Sequence, residues 1–274
     1  MSIKSQITEK LLLLVLDGCR YDTAVEQMGI LNHHVDYKQA QLIKVHAEMP
    51  SSSRPLYEVL ATGVPSYRNG ILTNADGQHS KELSIFDLVK AAGGSTAAAA
   101  HYWQSELFNQ APYEIKRDRI QHDHKKSIQH GIFYSENQYP DSHVFADGHY
   151  LLHTYQPNLL LIHSMNIDAA GHRYTAVSKE YRKAVNQADQ LIGLYLHDWL
   201  AAAYQVIVTA DHGMDEYGLH GGSMAAHREV PLYIFSDIFP PDCGIEKMNQ
   251  LELAPLICSL LKIDTSERMQ IGRS

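Results

Sequence analysis

Short unbroken apolar runs alternate along the chain with longer stretches in which apolar residues recur at helical spacing. Leu11 to Leu16 is such a run, and similar runs occupy Leu159 to His163, Gln205 to Thr209 and Val230 to Phe235. An uninterrupted apolar run of this length is typical of a strand that is buried on both faces of a sheet. The pattern therefore predicts four strands of a mainly parallel sheet.

Helical periodicity is clearest in two segments, Ser84 to Ala92 and Ser178 to Leu200. Strands that alternate with helices indicate βαβ units, with helices on both faces of the sheet. We therefore expect an α/β fold, and the length of 274 residues favours one domain over residues 1–274. The segment 104–147 shows no clear period, so we interpret it as a possible cap or insertion over the site.

Composition narrows the classes of function. Hydrophobic residues make up 45% and charged residues 20%, which excludes a mainly disordered chain. The net charge of -8 gives no general attraction to nucleic-acid backbones, so we expect no nucleic-acid polymer as a partner. Any phosphate would need local positive charge, which metal ions can supply, and 17 histidines offer ligands for them.

Cellular location is constrained only weakly by the sequence. The apolar run from Leu11 to Leu16 is far too short to span a bilayer, and no small-residue cleavage site follows it. We therefore expect a cytoplasmic protein without a membrane partner, although a chain whose signal peptide has been removed would look the same. The oligomeric state is left open.

Carboxylate and imidazole side chains follow three of the predicted strands, at the sheet edge where ligands gather. They are Asp17, Asp168 with His172, and Asp211 with His212, and His220 follows in a glycine-rich loop. Each one alone is also explained by a turn or a solvated side chain. Together they predict a metal site at this edge, of a kind suited to zinc or manganese.

Six short motifs occur in a characteristic order and spacing. They are Asp17-Gly-Cys-Arg-Tyr-Asp22, Ser53-Arg-Pro55, Thr62-Gly63, Asp168-x-x-Gly-His172, Asp211-His-Gly-Met214 and His220-Gly-Gly222. Any one of them is weak, but as a series they resemble the alkaline phosphatase superfamily, and most closely its nucleotide pyrophosphatase/phosphodiesterase branch. The resemblance covers roughly Leu11 to Phe235 and implies the alkaline phosphatase-like three-layer core.

The resemblance implies two divalent metal ions as cofactors, zinc or alternatively manganese. One ion would be held by Asp168, His172 and His220, and the other by Asp17, Asp211 and His212 together with Ser53. His227 competes with His220 as a ligand because it lies close to the loop that carries His220. Only His220 is followed by Gly-Gly and keeps the family's distance to the next strand.

Composition does not choose a nucleophile among Ser51, Ser52 and Ser53. The family pattern has the nucleophile, one residue and then proline, with Thr-Gly downstream, and only Ser53 keeps that register. Threonine is the common nucleophile of this branch, whereas alkaline phosphatases use serine. The resemblance also assigns Asn74, 21 residues later, as a donor to a phosphoryl oxygen. Arg54 either contacts a negatively charged substrate group or is solvated or ion-paired.

The implied activity is hydrolysis of a small-molecule phosphate ester through a phosphoseryl intermediate on Ser53. A phosphodiester or nucleotide pyrophosphate substrate is favoured over a monoester, and phosphonate hydrolysis remains open on the same centre. A sulfatase would need arginine where Tyr57 stands in the C/S-x-P-x-R motif. A non-catalytic metal-binding sensor is a further alternative, but such proteins usually lose the nucleophile or a ligand, and this chain keeps them all.

Overall fold

A computed structural model describes residues 7–241 and 244–269, within which nine strands form one sheet. The strands are β1 (Lys10–Leu16), β2 (Gln41–His46), β3 (Thr96–His101), β4 (Ile120–His122), β5 (His130–Tyr134), β6 (Leu159–Ser164), β7 (Tyr204–Thr209), β8 (Glu229–Phe235) and β9 (Lys247–Asn249). Their order across the sheet is β4-β5-β3-β6-β1-β7-β8-β2-β9. The five from β5 to β7 are parallel, whereas β4 and β8 pair antiparallel with their neighbours.

Helices cover both faces of this sheet. They are α1 (Tyr21–Gln27), α2 (Gly29–Asp36), α3 (Ser53–Thr62), α4 (Ser66–Asn69), α5 (Ile85–Ala91), α6 (Tyr102–Phe108), α7 (Ile115–Asp118), α8 (Asp141–Tyr155), α9 (Asn166–Tyr174), α10 (Lys179–Ala201), α11 (Ala225–Arg228) and α12 (Leu253–Leu260). One layer packs α1, α2, α8 and α9 around α10, and the other packs α5, α6 and α12 around α3. The predicted α/β class with helices on both faces is confirmed.

The four predicted strands are present, and β1 lies at the centre of the sheet. Leu14 faces Ile162 of β6 on one side and Val208 of β7 on the other. The side chains of β1 from Leu11 to Leu16 are at most 2% exposed, and full burial of each leucine contributes about 1.5–3 kcal/mol. Because β1, β6 and β7 are parallel, they end at one edge of the sheet, where the predicted ligands follow them.

The middle part of the segment 104–147, the possible cap or insertion, extends the central sheet. Strand β5 pairs in parallel with β3, and β4 pairs with β5 in turn. Strand β5 begins with His-Gly, so its sequence lacks the unbroken apolar run that marks the predicted strands, although all five of its residues are buried. At the start of the segment, α6 packs against α3, the helix that begins at Ser53. This part of the chain therefore lies beside the helix that carries the predicted nucleophile.

Helix α10 connects the periodic pattern of the sequence to the site. It begins after Ser178, whose side chain caps the helix by accepting from the Tyr181 backbone, and Tyr181, Ile192 and Trp199 are buried along its length. The Tyr181 hydroxyl donates to the carbonyl of Gly18 at 2.6 Å and accepts from the Arg20 backbone at 3.1 Å. The helix thereby holds the turn that follows Asp17. No helix in the described ranges is long and apolar enough to cross a membrane.

A buried glutamate in α3 makes stability depend on pH. Burial raises the pKa of Glu58 from its ordinary 4.5 to about 8, and among the described residues only the Ser80 hydroxyl donates to its side chain, at 2.5 Å. Between these two pH values the folded state therefore holds a proton on Glu58 that the unfolded chain has released. The contribution of protonated Glu58 to the free energy of unfolding is complete below about pH 4.5 and is lost as the pH rises toward 8.

We expect Glu58→Gln to raise the melting temperature by roughly 3–6 °C at pH 9 and to change it little at pH 5, because glutamine needs no proton. Thermal unfolding followed by circular dichroism at both values checks this. Glu26→Gln, at an exposed position, is the control and should show no such pH dependence. An equal change of Glu58→Gln at both pH values would contradict the prediction.

Candidate active site

Three carboxylates meet where the parallel strands end. Asp17 follows β1, Asp168 lies in α9 just after β6, and Asp211 follows β7, and all three are buried. Gly18 allows this close approach: its φ is +72°, and a Cβ there would lie only 3.0 Å from atoms of Asp168. Its backbone amide also donates to Oδ1 of Asp211 at 3.1 Å. The turn after β1 therefore needs glycine both for its conformation and for space.

The structure brings together the same two sets of ligands that the resemblance implies. Within each set, one ligand atom from every residue lies within 4.8 Å of the others. In the first, which we call the Asp168 site, Nε2 of His172 is 3.4 Å from Asp168 Oδ2 and 3.1 Å from Nε2 of His220. In the second, the Asp17 site, Nε2 of His212 is 3.6 Å from Asp17 Oδ1 and 3.4 Å from Asp211 Oδ2.

The three histidines of these sites are oriented by the backbone. Nδ1 of His172 lies 2.8 Å from the carbonyl of Gly218, and that of His212 lies 2.9 Å from the carbonyl of Gly213. His220 does the same with the carbonyl of Ser51, at 2.9 Å. Since a carbonyl only accepts, each Nδ1 carries the proton, and each Nε2 presents a lone pair to its site.

The carboxylates have oxygens that nothing in the described residues satisfies. Asp17 Oδ1, Asp168 Oδ1 and Asp211 Oδ2 are buried without a hydrogen-bond partner there. Burial, and then repulsion from Asp211, raises the pKa of Asp17 well above its ordinary range. Burial, and then repulsion from Asp17, does the same to the pKa of Asp168. Buried carboxylate oxygens beside imidazole nitrogens, without thiolates, are a donor set that fits zinc or manganese.

Geometry distinguishes the three consecutive serines. Ser53 is the first residue of α3 and is 3% exposed, and its Oγ lies 3.1 Å from Nε2 of His212 in the Asp17 site. Ser51 instead donates to the carbonyl of Gly222 at 2.9 Å, and Ser52 precedes the helix without a side-chain cap bond. The N-terminus of a ten-residue helix also offers positive partial charge to a phosphate. Of the three hydroxyls, only that of Ser53 reaches a ligand set.

Asn74 and Arg54 both lie next to the nucleophile. The backbone amide of Arg54 donates to Oδ1 of Asn74 at 3.0 Å, which leaves the amide protons of Asn74 available. The guanidinium of Arg54 is buried, pairs with Glu106 at 2.5 Å, donates to the carbonyl of Asp76 at 2.8 Å and lies over the ring of Trp103. Arg54 is therefore ion-paired, which is one of the alternatives that the sequence analysis left open. A contact between Arg54 and a substrate stays a prediction.

His227, the rival of His220, lies outside both ligand sets. Its Nε2 is 3.2 Å from Oδ2 of Asp215, and its Nδ1 accepts from the backbone of Gly222 at 3.0 Å. It therefore fixes the loop that carries His220.

Two residues around Asp17 were missed by the sequence analysis. Nε2 of His163 lies 3.2 Å from Asp17 Oδ2, and the hydroxyl of Tyr57 donates to the same oxygen. His163 appears in the sequence only as the end of a predicted strand, and Tyr57 only as the residue in place of the sulfatase arginine. The available signal was a histidine directly after the apolar run Leu159–Ile162. The end of a parallel strand lies at the edge of the sheet where ligands gather.

Comparison with known proteins decides the family. Residues 11–225 match the family described as type I phosphodiesterase / nucleotide pyrophosphatase. The chain belongs to this family. The family match confirms the resemblance seen in the motifs, and it ends just beyond His220, so all the assigned ligands fall within it.

This phosphodiesterase-family chain is similar to a much longer curated relative and to solved structures of comparable extent. GPI ethanolamine phosphate transferase 3 of Schizosaccharomyces pombe is 23% identical over 93% of this chain, which spans only 28% of that relative. Murine ectonucleotide pyrophosphatase / phosphodiesterase 5 has a TM-score of 0.76 at 13% identity, with 94% of this chain and 96% of that one covered. The C-terminal periplasmic domain of EcEptC from Escherichia coli has a TM-score of 0.69 at 10% identity, covering 96% and 84%. At such identities the solved structures confirm the fold alone.

Proposed function

We propose that this phosphodiesterase-family protein cleaves small-molecule phosphate esters, with a phosphodiester or nucleotide pyrophosphate favoured, through a phosphoseryl intermediate on Ser53. The position of Ser53 carries the proposal, since its Oγ lies 3.1 Å from His212 in the Asp17 site. A hydroxyl at a helix N-terminus, next to two preoriented ligand sets, is what in-line phosphoryl transfer requires of a protein.

The proposed reaction uses two divalent cations, zinc or manganese. Asp168, His172 and His220 would hold one, and Asp17, Asp211 and His212 the other. When bound, they supply positive charge that lowers the pKa of the serine hydroxyl and offsets charge on the phosphoryl oxygens. The unsatisfied buried oxygens of all three carboxylates support this assignment.

The protein's own groups perform the remaining work. Ser53 Oγ releases its proton to solvent and forms a bond to phosphorus as the bond from phosphorus to the leaving oxygen breaks, and the leaving oxygen takes up a proton from solvent. The amide of Asn74 and the N-terminus of α3 donate to phosphoryl oxygens and orient them. Water then attacks the phosphorus of the phosphoserine and gives up a proton. Ser53 Oγ takes up a proton as its bond to phosphorus breaks and the phosphate product is released.

Transfer to an alcohol is the second candidate, and a specific observation favours it. Over 93% of its length the chain matches a relative named GPI ethanolamine phosphate transferase 3. The first half of such a reaction is the same, and an acceptor hydroxyl replaces water in the second half. The Ser53 site is compatible with both outcomes, so the fate of the phosphoserine must be measured.

A substrate panel tests the proposal. The zinc- and manganese-loaded protein is assayed with p-nitrophenyl phosphodiester, phosphomonoester, phosphonate and sulfate esters, with and without glycerol as an acceptor. We expect the diester to be cleaved at least tenfold faster than the monoester, and the sulfate not at all. Glycerol phosphoester among the products would identify transfer, and water-derived product alone would identify hydrolysis. Preference for the sulfate, or no turnover of any ester, would contradict the proposal.

A further inference from the structure

We propose that His163 and Tyr57 are positioning residues that fix Asp17 as a one-oxygen ligand of the Asp17 site. Both donate to Oδ2 of Asp17 and leave Oδ1 for the cation. The inference rests on the proposed function in one respect, because it requires the Asp17 site to bind a metal ion. It assigns a role to two residues that lie outside both ligand sets.

The Oδ2 side of Asp17 is fully occupied by donors. Nε2 of His163 lies 3.2 Å away, and the Tyr57 hydroxyl donates to the same atom. The imidazole of His163 is 0% exposed and Tyr57 is 1% exposed, so water does not compete for this oxygen. The two rings also pack edge to face, with centroids 4.6 Å apart, so each donor holds the other in place.

The backbone selects the protonation form of His163 that can donate. Its Nδ1 accepts a long hydrogen bond of 3.5 Å from the backbone amide of His101 in the adjacent strand β3. Since an amide N–H only donates, Nδ1 carries the lone pair and the proton is on Nε2, which faces Asp17. The Tyr134 hydroxyl donates to the His163 carbonyl at 2.8 Å and fixes the main chain at this point.

The Oδ1 side of Asp17 is free of hydrogen bonds within the described residues. It lies 3.6 Å from Nε2 of His212, which is in turn 3.1 Å from Ser53 Oγ. A carboxylate with both oxygens free could rotate or bind a cation through both of them. Two donors on one oxygen fix its plane, so only Oδ1 is presented to the cation.

Tyr57 also links this arrangement to the nucleophile. Ser53 and Tyr57 are four residues apart in α3, so they lie on one face of that helix. The hydroxyl of Tyr57 thus fixes the distance between the nucleophile helix and Asp17. We infer that loss of either donor weakens one metal site selectively, since partners of this kind typically contribute 10–100-fold to metal affinity.

Zinc titration tests the inference without any assay of activity. The chain is titrated with zinc against a chromophoric chelator as wild type, His163→Leu, His163→Gln and Tyr57→Phe. We expect two sites in the wild type, and at least a tenfold rise in the Kd of one of them in His163→Leu and Tyr57→Phe. His163→Gln should restore most of the affinity, because its amide can donate from nearly the same position.

Matched variants identify the affected site. In an Asp168→Asn background only the Asp17 site should bind zinc, and the loss caused by His163→Leu should persist there. Tyr204→Phe is the control for Tyr57→Phe, because Tyr204 is also buried and donates to a backbone carbonyl far from the site, at 2.7 Å. Tyr57→Phe removes one oxygen atom only, so it keeps the test valid if His163→Leu does not fold.

Three results would overturn the inference: unchanged affinity at both sites, an equal loss at both, or the same loss in Tyr204→Phe. In each of these the wild type still binds two ions, so the proposed function stands. If the wild type bound neither zinc nor manganese, that result would contradict the proposed function as well.

Discussion

Ser53→Ala is expected to lower kcat by roughly 10³-fold or more, because the variant has no hydroxyl to form the phosphoseryl intermediate. The ligand sets remain, so the variant should still bind two metal ions. Steady-state kinetics on the best ester of the panel, at saturating metal, measures the loss. Acid quenching during turnover, followed by peptide mass mapping, should find phosphate on the Ser53 peptide of the wild type alone.

The serine next to Ser53 provides the matched control. Ser52→Ala changes the adjacent hydroxyl, which makes no cap bond to the helix, and should keep wild-type turnover. Ser53→Thr keeps a hydroxyl and should retain part of the activity. Full turnover in Ser53→Ala, or an equal loss in Ser52→Ala, would show that the assigned nucleophile is wrong.

Removal of metal is expected to abolish turnover and to lower the melting temperature, and the second effect should grow with pH. Burial and mutual repulsion raise the pKa values of Asp17 and Asp168 in the metal-free fold. For a carboxylate with a raised folded pKa, the stability contribution is present below the ordinary value of 3.8 and is lost as the pH rises through the folded pKa. Bound cations replace those protons, so they remove this loss.

The test compares thermal unfolding of chelator-treated and zinc-loaded protein between pH 5 and pH 9. Zinc at 1,000 times its Kd adds about 4 kcal/mol to the free energy of unfolding, and the difference should widen toward pH 9. Asp168→Asn should flatten the pH dependence of the metal-free protein, whereas the exposed control Asp36→Asn should not. Turnover that survives chelation, or equal melting curves with and without zinc, would contradict the two-metal assignment.

Helix α3, which begins at the proposed nucleophile Ser53, is fixed on several sides. Arg54 pairs with Glu106 of α6, and Tyr57 donates to Asp17 after β1. The Ser53 hydroxyl itself lies against His212 after β7. Each contact comes from a different element, so the position of α3 depends on the packing of the whole domain.

Local patterns determined much of the fold and most of the site. Apolar runs revealed the central strands because a strand buried on both faces admits few polar residues. The pairs Asp168 with His172 and Asp211 with His212 were readable because both partners are close in sequence and follow such a strand. The choice of Ser53 rested on the family resemblance, whose motif fixes the spacing from the nucleophile to Pro55 and to Thr62-Gly63. Short-range spacing is a property of the sequence itself.

Contacts between distant residues were decided only by the tertiary structure. Arg54 meets Glu106 across 52 positions, and Asp17 meets His163 across 146, so no local pattern relates them. His227 holds the loop that carries His220, and β5 pairs with β3. Both contacts likewise depend on which elements pack side by side. The sequence by itself determined which side chains could bind metal and attack phosphorus. Only the fold decided which neighbours orient them, because orientation comes from packing between elements that are remote along the chain.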